Sequence, residues 1–156
     1  MKGSGLGLLA VLAATCGSIG GCGDLGPLPS ELERNRDLWL DTRPADYTYA
    51  VERLCFCGLE SRGPVRVTVQ GSSVTERVYV DSGQPVSSPF EDFFPTVDGL
   101  FDLLEEAFAQ DAHDIQVTYD ADTGVPIDFW IDYQENLADE ELGMTVTESV
   151  EETPVP

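Results

Sequence analysis

The sequence predicts an α+β fold, in which a single domain has an antiparallel meander sheet with helices packed on one face. Segments in which apolar and polar residues alternate, as in strands, occur beside segments with apolar residues at helical spacing. They follow one another as helix, strand, strand, strand, and this order occurs twice, with connections short enough for hairpins. We therefore expect two consecutive αβββ units. With 42% apolar residues, a chain of 156 residues can fill one such core.

The first helix is predicted over about 31–41. Ser30 precedes it, and Glu33 follows three positions later, which is the spacing of a capping box. In that motif the Ser hydroxyl accepts a hydrogen bond from a backbone N–H of the first turn, and the Glu side chain reaches back to the cap. We therefore expect Ser30 to cap this helix.

Three strands follow the first helix. Residues 47–57 alternate and carry apolar side chains on both faces, which indicates a central strand. Residues 65–70 and the segment from Val74 to Val80 predict a hairpin, because their valines alternate with polar residues on either side of a Gly-Ser-Ser turn. The same alternation places Val74, Val78 and Val80 on one face.

The second helix is predicted to begin after Thr96. From Val97 to Phe108 the apolar residues recur every three or four positions, which is the most regular amphipathic pattern in the chain. Asp98 and Asp102 lie near the amino end, where the helix dipole favours negative charge. This segment is therefore expected to pack one face on the sheet.

Three further strands complete the second unit. Residues 115–119 and 127–133 alternate, and the sequence Asp-Ala-Asp-Thr-Gly at 120–124 predicts a hairpin turn between them. These carboxylates resemble the start of a calcium-binding loop, but the later acid, glycine and glutamate of such a loop do not follow. The last strand is predicted at 143–147, and the acidic residues 148–156 are expected to form a disordered tail.

The amino-terminal residues predict export and lipid attachment. Residues 1–21 have a short positive start, an apolar run and a stretch of small residues, as in a signal peptide. Residues 19–21, which precede Cys22, resemble the lipobox of bacterial lipoproteins. The resemblance implies that Cys22 is acylated, that 22–30 form a flexible tether, and that the domain at 31–147 lies in the cell envelope, on the extracytoplasmic side of a bacterial membrane. A secretory signal without lipid attachment is the alternative.

The charge of the chain is strongly acidic and unevenly distributed. The net charge is −21, and Arg77 is the last basic residue. A surface of this kind repels nucleic acid, so we expect no nucleic-acid partner. It favours cations or basic proteins as partners, but solubility alone explains the acidic composition more simply than a specific cation site does.

Cys55 and Cys57 are separated by one phenylalanine, and several chemistries fit this spacing. In a straight strand two such Cα atoms lie about 6.6 Å apart, near the upper limit for a disulfide, so a bridge requires a bend, which Gly58 would permit. An oxidising compartment favours a bridge over free thiols. Buried thiols, a redox dithiol and a copper(I) site are the alternatives. Zinc is disfavoured, because about four ligands are needed and His113 is the only histidine.

Two surfaces are candidates for partner binding. The loop at 87–96 contains three phenylalanines, which predict either a lid that packs over the sheet or an exposed aromatic patch. On the strand at 127–133, alternation places two acids and a tryptophan on the face away from the core. The candidate partner-binding residues are therefore Phe90, Phe93, Phe94, Asp128, Trp130 and Asp132.

Five blocks of the sequence resemble the DUF6174 family of bacterial proteins. The blocks are DYTYAVERLCFC, GPVRVTV, TVDGLFDLLEEA, VTYDADTGVPIDFWIDY and ADEELGMTV. They occur in the order of the family, from about Trp39 to Val150. The resemblance implies that the Cys-Phe-Cys segment and the helix start TVDGLF belong to the family pattern. It implies no activity, substrate or catalytic residue.

The sequence contains no recognisable catalytic set, since neither the single histidine nor any serine has the context of a catalytic residue. We therefore expect a non-catalytic binding or assembly module without a cofactor, anchored to the membrane by its lipid. The partner would be an envelope protein or cations. The alternative is a thiol-redox or copper-binding envelope protein that uses Cys55 and Cys57.

Overall fold

The computed structural model describes residues 29–137 and 139–153. The elements, in chain order, are α1 (Ser30–Thr42), β1 (Asp46–Leu54), β2 (Val65–Gln70), β3 (Ser73–Tyr79), α2 (Val97–Ala109), β4 (Asp114–Tyr119), β5 (Pro126–Asp132) and β6 (Leu142–Glu152). Short 3-10 helices cover Leu59–Ser61 and Ser88–Phe93. The predicted signal peptide and Cys22 lie outside the described residues. The order of elements is the predicted one, a helix and three strands given twice.

The six strands form one antiparallel sheet with the order β3-β2-β1-β6-β5-β4. Each half of this sheet is a three-stranded meander, as predicted for an α+β domain. The halves are joined by the pairing of β1 with β6, so β1 is a central strand, as its two apolar faces indicated. The connection through α2 carries the chain from β3 to β4, which are the two edges of the sheet.

Both helices share one core with one face of the sheet. α1 contributes Leu32 and Trp39, and the ring of Trp39 packs at a right angle to that of Tyr47 on β1 with the centroids 5.5 Å apart. The fully buried side chains of α2 and of the inner sheet face include Leu100, Phe101, Leu104, Tyr49, Val67, Phe129 and Ile131. Each such side chain stabilises the fold by about 1.5 to 3 kcal/mol through removal from water.

Ion pairs connect the exposed sides of the two helices. Arg36 on α1 contacts Asp102 at 2.9 Å and also pairs with Glu105, both on α2. Arg43, which follows α1, contacts Asp98 at 2.7 Å. Such pairs near the surface stabilise a fold by about 1 kcal/mol or less each. Their main effect here is to place arginines against the acids of α2.

The two helix starts differ from each other. Thr96 caps α2, because its hydroxyl accepts a hydrogen bond from the N–H of Gly99 at 3.1 Å. The capping box predicted at Ser30 is wrong, since Ser30 is already helical and Pro29 occupies the cap position without a side-chain hydrogen bond. The local pattern could not exclude a helix that begins one residue earlier.

A β-bulge changes the face on which Val78 lies. In the pairing of β2 with β3, Val69 faces Val74, but Thr68 faces Glu76, so Thr75 is an extra residue in β3. An extra residue reverses the alternation beyond it. Val78 therefore pairs with Arg66 on the outer face and does not share a face with Val74.

The last strand is longer than predicted. β6 continues to Glu152, where it pairs with Tyr47 of β1, and the N–H of Thr153 donates to the carbonyl of Asp46 at 3.0 Å. The predicted disordered tail is therefore wrong for residues 148–152. Their acidic composition gives no apolar alternation from which a strand could be predicted. The strand is formed by backbone hydrogen bonds to β1.

The hairpin between β4 and β5 is confirmed, and its turn packs on α1. Asp120 accepts hydrogen bonds from the Thr123 hydroxyl at 2.7 Å and from two backbone N–H groups of the turn. These bonds, the hydroxyl bond first, lower the pKa of Asp120. Gly124 has φ +76°, and a side chain there would overlap the carbonyl oxygen of Asn35 on α1.

Gly124→Ala tests this close approach. We expect a loss of about 2 to 4 kcal/mol in the free energy of unfolding, because left-handed backbone strain adds to overlap with α1. Gly71→Ala is the control, since Gly71 also has positive φ, +60°, but faces open space. It should cost only about 1 to 2 kcal/mol. Urea unfolding of both variants measures the difference, and equal losses would contradict the contact.

Candidate functional site

The Cys-Phe-Cys segment forms a tight turn at the end of β1. β1 stops at Leu54, and the N–H of Cys57 donates to the carbonyl of Cys55 at 2.9 Å, which turns the chain at Phe56. The turn brings the two Cα atoms to 5.3 Å, with the sulfurs in bonding contact as a disulfide. The bend is not made by Gly58, as the sequence suggested, because Gly58 has φ −65°, which any residue adopts.

Two arginines hold this turn. Nη1 of Arg53 lies 3.3 Å from the sulfur of Cys55 and 3.9 Å from that of Cys57. The guanidinium also lies over the ring of Phe93, 4.5 Å from its centre. Burial lowers the pKa of Arg53, although a guanidinium keeps its charge at neutral pH. Arg62 donates two hydrogen bonds to the Cys57 carbonyl, at 3.0 and 2.7 Å.

An apolar groove lies beside the turn on the outer face of the sheet. Leu54 on β1 pairs with Gly143 on β6, which pairs in turn with Trp130 on β5, so these three residues form a row across the strands. Gly143 has no side chain, and Leu54 and Trp130 therefore close over it. We call this site the Trp130 groove; its volume is about 430 Å³ and its lining is Leu54, Cys55, Phe56, Arg62, Trp130, Asp139 and Glu141.

The apolar residues of the Trp130 groove are exposed to solvent. Phe56, at the tip of the turn, is 82% exposed, Leu54 is 43% exposed and Trp130 is 39% exposed. Grouped large apolar side chains on a polar surface are typical of interaction sites. On the rim, the side chain of Glu141 accepts a hydrogen bond from the N–H of Asp139 at 3.0 Å. The groove therefore combines an apolar floor with two acids.

The predicted phenylalanine loop lies mainly against the domain. Phe94 is fully buried, with its ring nearly perpendicular to that of Tyr79, so its inclusion among partner-binding residues is wrong. The carbonyl of Phe94 also accepts a hydrogen bond from Arg77 at 2.7 Å. Phe90 is half-buried beside Phe93, which itself packs on Arg53. The loop thus behaves as the lid alternative and supports the cysteine turn from the inner side.

The predicted acids beside Trp130 lie on the outer face, as the alternation indicated. Asp128 is exposed and accepts a hydrogen bond from the Thr145 hydroxyl at 2.8 Å. Asp132 is half-buried and accepts one from the N–H of Gln134 at 3.0 Å. Neither acid lines the Trp130 groove. Of the six predicted partner-binding residues, Trp130 is the one that the structure places there.

The described residues do not bring the usual metal ligands together. Within residues 29–137 and 139–153, no group of three or more His, Cys, Asp or Glu side chains could hold a metal ion. His113 is exposed in the turn before β4. Among the same residues, no helix is long and apolar enough to cross a membrane.

Most residues that build the Trp130 groove were not found from the sequence. Leu54 and Arg62 carry no distinguishing local pattern, because their role depends on strands that are far away in the chain. Gly143 did carry a signal, since a glycine within a strand often marks a close approach of another group. That signal indicates a contact but does not identify Trp130 as its partner.

The fold and this site define a small α+β domain with an exposed apolar groove. A family model, described as a family of unknown function (DUF6174), matches residues 31–151. The chain therefore belongs to the DUF6174 family, as its sequence blocks suggested. Searches of curated proteins and of solved structures found no match.

Gly143→Ala tests the construction of the groove. The added Cβ would lie 2.9 Å from the Trp130 ring and 3.0 Å from Leu54, so the indole must move outward. We expect a loss of about 1 to 3 kcal/mol in the free energy of unfolding and a red shift of the tryptophan emission. Gly58→Ala in the same corner should do neither, because its Cβ would meet only the flexible side chain of Glu60. An unshifted emission in Gly143→Ala would contradict the packing described.

Proposed function

We propose that this protein is a cell-envelope lipoprotein whose domain is a non-catalytic binding module, and that a protein partner docks in the Trp130 groove. The observation that carries the proposal is the exposed row of Leu54 and Trp130 across the sheet, extended by Phe56. Burial of large apolar and aromatic side chains at the centre of an interface supplies most binding energy in protein complexes. A rim of polar groups then supplies orientation.

The charge of the domain supports a basic partner. Six arginines already bind groups within the domain: Arg36, Arg43, Arg53, Arg62, Arg66 and Arg77. They offer little to an acidic partner, whereas the net charge of −21 attracts a basic one. At the groove, Asp139 and Glu141 would meet the cations of a segment whose apolar side chains lie over Trp130.

The rest of the outer sheet face also supports the Trp130 groove as the docking site. Ala50 at its centre is fully buried, although it lies on the side opposite the helices. Its partners in the register are Arg66 and Glu148, whose side chains form an ion pair at 2.7 Å. This part of the face is closed by charged groups, so the groove is the apolar opening toward a partner.

The location rests on the amino-terminal sequence. The lipobox resemblance at residues 19–22 supports acylation of Cys22, and two or more acyl chains hold a protein firmly to a bilayer. The tether at 22–30 would then separate the domain from the membrane. This arrangement would place the Trp130 groove within reach of other envelope proteins.

A second candidate function uses Cys55 and Cys57 in thiol-redox or copper chemistry. The observation in its favour is the arginine nitrogen within 4 Å of both sulfurs. For copper(I), the bonded sulfurs would first have to be reduced, because thiolates are the ligands that this ion prefers. The binding module remains our primary proposal, because binding in the Trp130 groove does not require prior reduction of the disulfide.

Binding to the groove can be tested with two synthetic peptides of equal length, one alternating leucine with lysine and one alternating leucine with glutamate. Titration calorimetry should detect binding of the lysine peptide only. Trp130→Ser and Leu54→Ser should each weaken that binding about tenfold or more, because both remove apolar contact without changing charge.

Leu40→Ser is the matched control for Leu54→Ser. Leu40 lies on α1 and is 45% exposed, against 43% for Leu54, but it lies outside the groove. Its replacement should leave the affinity within about twofold, since distant exposed contacts contribute little. If all variants bind the lysine peptide equally, net charge alone causes the attraction, and the groove proposal fails. The groove proposal also fails if the unmodified protein does not bind the lysine peptide.

Lipid attachment can be tested by Cys22→Ser. The unmodified protein should sediment with membranes after expression in bacteria and carry an acyl mass at its amino terminus. The variant should be released or should accumulate as an uncut precursor, because the acylated thiol is missing. A soluble unmodified protein with a free Cys22 thiol would exclude the anchor.

A further inference from the structure

The Cys55–Cys57 bond is open to reactants. Both cysteines are half-exposed at the end of β1, and the residues on either side of each of them, from Leu54 to Gly58, are exposed. Disulfides that solvent can reach are the ones that exchange with external thiols. A thiol could therefore approach without unfolding of the domain.

The fold does not depend on this bond. A disulfide across one intervening residue restricts the unfolded chain little, so its stabilising effect is small. The turn has other support, namely the hydrogen bond from the Cys57 N–H to the Cys55 carbonyl and two bonds from Arg62 to the Cys57 carbonyl. Cleavage of the sulfur bond should therefore leave the domain folded.

Arg53 distinguishes the two sulfurs. Its Nη1 lies 3.3 Å from the sulfur of Cys55 but 3.9 Å from that of Cys57. Packing on Phe93 holds the guanidinium in this position. A cation near a sulfur favours its thiolate, which makes that sulfur the better leaving group.

The other charged groups near Cys55 and Cys57 have different contacts. Arg62 directs its donors to the Cys57 carbonyl. Asp139 and Glu141 lie on the rim of the Trp130 groove, and Glu60 lies beside Gly58. These acids oppose a thiolate, so its stabilisation depends on Arg53.

We propose that Cys55 and Cys57 form a thiol–disulfide exchange site, in which the thiolate of an external dithiol attacks Cys57 and Arg53 stabilises the departing Cys55 thiolate. The new bond joins the attacking sulfur to Cys57, and the electron pair of the broken bond goes to Cys55. The second thiol of the dithiol then gives its proton to water and attacks the dithiol's first sulfur, and Cys57 leaves as a thiolate that takes a proton from water. The dithiol loses two electrons and becomes a disulfide, and the cysteine pair gains them. Arg53 acts directly on the leaving sulfur in this step, because its Nη1 lies 3.3 Å from the sulfur of Cys55. The inference rests on the second candidate function, which it specifies as thiol–disulfide exchange, and does not require that a partner binds the groove.

The exchange can be followed with dithiothreitol as the dithiol and release of free thiols as the readout. Arg53→Gln should slow the reaction about threefold or more and raise the thiol pKa of Cys55 in the reduced protein, because the departing thiolate loses its cation. Arg53→Lys should restore most of the rate, since it keeps the charge. Arg34→Gln is the control, because Arg34 is an exposed arginine on α1 and its loss changes the net charge equally.

A second measurement does not depend on variants. Brief reaction of the folded protein with glutathione, followed by acid quenching and mass spectrometry, should find the mixed disulfide on Cys57. An adduct on Cys55 would overturn the assignment of the leaving sulfur. Equal rates for Arg53→Gln and Arg34→Gln, or reduction only after unfolding in urea, would overturn the proposal.

Discussion

The antiparallel pairing of β1 with β6 is the interaction on which the rest of this structure depends. Each half of the chain supplies one helix and a three-stranded meander, and units of this size bury too small a fraction of their surface to be more than marginally stable alone. The pairing runs from Tyr47 opposite Glu152 to Leu54 opposite Gly143. It converts two exposed strand edges into the centre of one sheet and places both helices over a common core.

The same pairing creates the candidate site. Leu54 belongs to the first half of the chain, and Gly143 and Trp130 belong to the second. They become neighbours only because β6 lies between β1 and β5. The cysteine turn follows Leu54 directly, so the site of proposed partner binding and the site of proposed thiol exchange share one corner of the domain. Phe56 belongs to both, since it lies between the cysteines and lines the groove.

Most of the arginines of this acidic domain form contacts within the fold. Arg36 and Arg43 meet acids of α2, Arg66 closes the outer face over Ala50, and Arg53 and Arg62 hold the cysteine turn. Arg36, Arg43 and Arg66 pair with acids that are distant in the chain, whereas the hydrogen bonds of Arg53 and Arg62 are local. The remaining acids have no comparable set of cations, so the surface presented to other molecules is strongly negative. This asymmetry is the physical basis for a basic partner.

By itself the sequence determined the fold class, the order of the elements, the start of α2 at Thr96, the central position of β1 and the outward orientation of Trp130. These features follow from local periodicity and capping, which act over a few residues. Tertiary structure decided the order of strands, the bulge that turns Val78 outward, the acidic end of β6 and the burial of Phe94. It also decided the groove, because contacts between strands from opposite halves depend on backbone hydrogen bonds that carry no pattern along either segment.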